Sequence, residues 1–116
     1  MILIRRDKGN HHAMIGKATY PYNQWTWKET DWSVGGPALI NIPGKGIFGS
    51  GRCTIDGIPR TVVGKVDQEG FTPLLALPSG GDCSYPGMVY LDGVLWMSYY
   101  SSHEGKTSIY LSKIKL

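Results

Sequence analysis

Arg5, Arg6, Arg52, Asp82 and Tyr85 are the residues whose types and settings could do chemistry. Arg52 sits in the apolar run Ile47-Phe48-Gly49-Ser50-Gly51-Arg52-Cys53-Thr54. A guanidinium on the inward side of such a strand must be paired or face a wet channel, and a wet one is a fork for an anion. Arg5 and Arg6 follow Ile2-Leu3-Ile4; successive strand residues point to opposite faces, so one of the two looks inward. Asp82 stands beside Gly80-Gly81, either as a channel-facing acid or as a cap on the backbone of that turn. Tyr85 comes after the glycine turn and before Pro86, where a ring can pack at an edge with its hydroxyl wet.

Other reactive residue types are less productive. His11-His12 and His103-Glu104 lack ligand spacing and read as solvated turns, so neither a metal nor a cofactor is expected. Cys53 and Cys83 are too far apart for a CxxC motif, and a single pair is no disulfide framework, which leaves a bridge between them open. Trp25, Trp27, Trp32, Trp96, Tyr99 and Tyr100 could stack on sugars, although sheet packing also uses large flat side chains.

Short strands must position these groups. The 116 residues make one domain, and 16 glycines with seven prolines interrupt apolar runs too often for a helical bundle. Period-two alternation marks strands at Ile2 to Arg6, His12 to Lys17, Trp25 to Glu29, Pro37 to Ile42, Ile47 to Thr54, Arg60 to Val66 and Phe71 to Leu77. It continues at Gly87 to Leu91, Val94 to Ser101 and Thr107 to Lys115. Asp56-Gly57 and Asp92-Gly93 are hairpin turns.

The charge, 12 basic against nine acidic residues, is spread along the chain and makes no basic face, so nucleic acid is not an expected partner. No run is long enough to span a membrane, and charge interrupts Met1-Ile2-Leu3-Ile4 too early for a signal peptide; as written, the chain reads as cytoplasmic.

The strands fall into blade-sized sets at about 1–33, 37–78 and 84–116. Two sets echo each other: Pro37-Ala38-Leu39-Ile40-Asn41-Ile42-Pro43-Gly44-Lys45-Gly46-Ile47-Phe48 aligns with Pro86-Gly87-Met88-Val89-Tyr90-Leu91-Asp92-Gly93-Val94-Leu95-Trp96. The expected fold is therefore all-β, a partial β-propeller of about two and a half to three antiparallel blades. So few blades cannot close a ring. The chain is then part of a larger propeller or is completed by homo-oligomerisation, as a dimer or trimer.

The stretch Leu77-Pro78-Ser79-Gly80-Gly81-Asp82, with Ser84-Tyr85-Pro86-Gly87 and Ser98 through Leu111, resembles the C-terminal half of a sialidase-like (neuraminidase, BNR-repeat) six-bladed propeller of the bacterial exo-α-sialidase type. Gly35-Gly36-Pro37, Gly51-Arg52 and Arg5-Arg6-Asp7 extend the likeness over nearly the whole chain. Thr19 to Trp27 resembles a degenerate Asp box that keeps Thr26-Trp27, with the tryptophan expected between blades. The resemblance implies that Arg5 or Arg6 and Arg52 bind a substrate carboxylate, that Asp82 lies in the channel, and that Tyr85 holds the nucleophile position. It also implies a third arginine, an acid/base aspartate and a glutamate beside the tyrosine, none of which is found. The expected function is thus a non-enzymatic assembly or glycan- and anion-binding module. The alternative is a sialidase-like glycoside hydrolase whose site oligomerisation completes.

Overall fold

The computed structural model describes all of residues 1–116. Ten strands form and no helix does: β1 (Ile2–Ile4), β2 (Met14–Lys17), β3 (Thr26–Glu29), β4 (Gly35–Ile42), β5 (Gly46–Ile55), β6 (Ile58–Asp67), β7 (Gly70–Ala76), β8 (Cys83–Leu91), β9 (Val94–Ser101) and β10 (Ser108–Lys115). They make three antiparallel sheets in the orders β1-β2-β3, β4-β5-β6-β7 and β10-β9-β8, here called the first, middle and last sheets. Asp56-Gly57 and Asp92-Gly93 both take positive φ, as a two-residue hairpin of this twist requires.

The middle sheet is covered on both faces. On one side Val62, Val66, Cys53 and Phe71 meet Leu3, Ala13 and Ile15 of the first sheet and its neighbouring loop. On the other, Phe48 and Val63 meet Leu95, Met97 and Tyr99 of the last sheet. This explains why β5 and β6 are buried at consecutive positions while β10 alternates along its whole length. The opening strands β1, β4 and β8 lie next to one another in that order, so the sheets are gathered along their first strands.

Among the strands that begin earlier than their sequence pattern indicates, two do so for the same reason. β4 starts at Gly35 and β8 at Cys83, each ahead of its proline, because register shifts at Gly35/Ala38 and Ser84/Gly87 accommodate a residue without an N–H. The bulges occupy matching places in the internal repeat. β1 is shorter than expected and ends at Ile4, because Arg6 turns back to donate from Nε to the His12 carbonyl (2.6 Å). Cys53 and Cys83 are both buried and unbridged, and burial pushes the Cys53 thiol up to about 12, so it is neutral at ordinary pH.

Candidate functional site

Arg52 lies near the end of β5, beside the start of β8. Its Nη1 donates to Asp82 Oδ1 (3.2 Å) and to the Cys83 carbonyl (3.3 Å). The same carboxylate oxygen accepts a hydrogen bond from the Tyr100 hydroxyl at 2.6 Å. Asp82 therefore joins an arginine to a tyrosine and does not cap its turn with its side chain. The hydrogen bond to Asp82 raises the Tyr100 pKa, with desolvation and the carboxylate's charge acting the same way, so this phenol stays a donor.

Tyr85 stacks on Tyr100, ring centroids 6.0 Å apart at 20°. It is 67% exposed and held in the bulge with φ near +49°, next to Ser84 at +150°. The matching position of the repeat is Gly36, at +55°. A residue with a Cβ pays about 1 kcal/mol or more there. Ser84 secures the bulge by donating from Oγ to the Gly35 carbonyl (2.5 Å). A side chain at Gly36 would be strained: a Cβ would stand 3.3 Å from the Tyr85 ring and 3.0 Å from Ser84 Oγ, at a φ that favours glycine. Asp82, the nearest acid in this network, bonds Tyr100 and Arg52, not the Tyr85 hydroxyl.

The structure gathers Arg5, Arg6 and Arg52 around one groove of about 160 Å³, together with Asp7, Ser33 and Thr54. Face alternation would have sent Arg5 and Arg6 apart, but both lie beyond the end of β1, where that rule no longer acts. Both members of the pair therefore line the groove with Arg52. Each cation already has a carboxylate. Arg5 Nε meets Asp7 Oδ1 at 2.7 Å, Arg6 Nη2 meets Glu29 Oε2 at 2.8 Å, and Arg52 meets Asp82. Hydrogen bonds from Asn10 and then Arg6 hold Glu29 below the usual carboxylate range. The Arg5–Asp7 pair is the most exposed and the most easily exchanged for a carboxylate of a ligand.

The aromatic residues divide. Tyr99 is buried in the core and donates to the Pro78 carbonyl, and Trp96 lies under Lys113, 4.5 Å from its Nζ. Trp27, expected between sheets, instead stands on the outer face of the first sheet, stacked on Trp25 at 5.8 Å. Gly16 makes room for it, since a Cβ there would lie 2.6 Å from the indole. Nothing in the period-two pattern separates an outward aromatic from an inward one when the neighbouring sheet is absent.

Three antiparallel sheets sharing a line of first strands define an all-β scaffold, with three arginines around a groove beside the first and middle sheets and a strained tyrosine where the middle and last sheets meet. Compared with known proteins, the chain matches no family model, no curated protein and no solved structure. The sialidase likeness therefore rests on the sequence motifs alone.

Proposed function

We propose that this chain is a non-enzymatic, sialidase-related propeller module that closes its ring with a second copy of itself and binds an acidic sugar or similar carboxylate at the arginine groove. The carrying observation is that both end sheets leave apolar outer faces open. On the last sheet Val89, Leu91, Ile109 and Leu111 are exposed, and register places them on one face, flanking Trp96 and Ser98, with Lys113 and Lys115 at its end. On the first sheet Ile2 and Ile4 are exposed on the face away from the middle sheet. The middle sheet, apolar and covered on both sides, indicates what such faces require.

Two copies bring six sheets, within the usual range of closed propellers, whereas three copies would bring nine. The last sheet of each copy then covers the first sheet of the other, a contact made twice around one two-fold axis. A crosslinking experiment checks the pairing. Chains carrying Ile2→Cys are mixed with chains carrying Leu111→Cys and treated with a flexible bismaleimide. The mixture is expected to give a covalent dimer that neither variant gives alone, since the native cysteines are buried. Equal dimer from either variant alone would reject this arrangement.

A second reading, hydrolysis of a sialoside, is favoured by the three arginines on one groove and by the strained Tyr85 nearby. A neutral phenol attacks next to a carboxylate with less repulsion than a second carboxylate would. Turnover of a fluorogenic sialoside that disappears in Tyr85→Phe would establish it. The module reading expects no turnover, and binding of sialic acid that weakens about tenfold on Arg52→Ala, a lost charge-assisted bond of about 1.5 kcal/mol.

A further inference from the structure

The loop between β2 and β3 turns its large side chains outward. Tyr20 is 85% exposed, Tyr22 is 60% exposed, and their rings meet edge to face at 6.1 Å. Trp25 and Trp27 stack at 5.8 Å with 24° between their planes, and Trp25 Nε1 donates to the Tyr22 carbonyl at 3.1 Å, which fixes the indole. Tyr20, Trp25 and Trp27 wall an open cleft of about 780 Å³, whose rim adds the amides of Asn23, Gln24 and Gln68. Lys17 and Lys28 are its only charged side chains, and no carboxylate lines it. Lys28 is paired to Glu69 at 3.3 Å, leaving Lys17 as the unpaired lysine.

Such exposure is costly in water and needs a purpose. Large rigid rings with a few convergent polar groups are the make-up of a ligand site. The cleft also lies at the opposite end of the first sheet from the arginine groove: Lys17 pairs with Thr26 at one end, while Glu29, the partner of Arg6, pairs with Met14 at the other.

We propose that this cleft binds a saccharide chain, separately from the arginine groove. A pyranose presents an apolar face of C–H groups that an indole or phenol covers, while its hydroxyls spread around the rim towards side-chain amides. Rings walled by amides match that chemistry. Single-stranded nucleic acid would also stack on the rings, but it requires a cationic track for its phosphates, and one unpaired lysine is not a track. An apolar peptide would leave the amides without partners. Lys17 fits a hydroxyl or a uronic carboxylate of the bound chain, so acidic oligosaccharides are expected to bind at least as well as neutral ones.

The test is a titration of the intact chain, followed by tryptophan fluorescence, with cellohexaose, chitohexaose, hexagalacturonate and a dT12 oligonucleotide. At least one saccharide is expected to saturate the signal. Trp25→Ala should weaken that binding tenfold or more, with Tyr20→Ala acting in the same direction. Isothermal calorimetry reads both variants, because Trp25→Ala removes part of the fluorescence. Neither residue is in the core, so the unfolding midpoint should move little, and the molar mass in solution should not change. Trp27→Phe, which keeps a ring over Gly16, covers the case in which either alanine variant unfolds, and it should weaken binding as well. Absence of saccharide binding, binding that survives all of these substitutions, or tighter binding of dT12 than of every saccharide would overturn the proposal. So would a change of molar mass in Trp25→Ala, which would assign the aromatic residues to the contact between copies. The ring is read from molar mass and this site from saccharide titration, so failure of one is distinguishable from failure of the other.

Discussion

Replacing Ile109 and Leu111 together by Asp is expected to halve the molar mass in solution, from that of two chains to the 12.8 kDa of one. In the isolated chain these side chains are 77% and 63% exposed, so the fold does not depend on them. Exposed substitutions usually change stability by about half a kcal/mol. In the proposed ring both are buried against the first sheet of the other copy. Because the contact is made twice, four apolar side chains are lost per dimer, which removes about 8 kcal/mol of burial, on the order of a millionfold in association, before the cost of burying four carboxylates is added. Ile58→Asp serves as the control. Ile58 is also exposed, but it lies at the β5–β6 hairpin and on neither end face, so its substitution should leave the mass unchanged. Light scattering measures both, and a circular dichroism spectrum confirms that the double variant retains its strands.

Gly64→Ala is expected to destabilise the chain by about 3 kcal/mol, the upper range for forcing extra volume into a packed interior. Gly64 lies in β6, paired with Gly49 on one side and Pro73 on the other, next to the register shift at Val63/Gly64. An added Cβ would strike the Thr72 carbonyl oxygen and lie 2.8 Å from the Phe71 ring. The first obstacle is backbone, so relief requires the β6–β7 pairing to move, and Phe71 would have to leave the core it shares with Leu3 and Val66. A denaturant midpoint measures this; a shift below about half a kcal/mol would show that the face of the middle sheet against the first sheet is packed more loosely than described.

The strands and their grouping are legible in the sequence because two signals agree. Alternation in Ser108 to Lys115 and the Asp-Gly pairs at 56–57 and 92–93 set hairpins whose lengths divide the chain into the observed sheets. The site is legible only in its residue types. Arg52 and Asp82 stand in different parts of the chain, and the 3.2 Å contact between them depends on how the last sheet sits on the middle one, which no local pattern encodes. The joint placement of Arg5 and Arg6 depends on where β1 stops, and a hydrogen bond to His12 decides that, not propensity. Likewise, the bulge that strains Tyr85 is foreshadowed only by Pro86 and its counterpart Pro37. The outward turn of Trp25 and Trp27 has no sequence signal, because an aromatic on the open face of an end sheet and one on a covered face occupy the same alternation.

The central claim is that the two end sheets cover one another between copies, and the molar mass of the unaltered chain tests it most directly. Light scattering over a dilution series is predicted to give twice the single-chain mass of 12.8 kDa, falling towards that of one chain only at the lowest concentrations. The mass of a single chain at every concentration, from a protein with its strands intact, would contradict it.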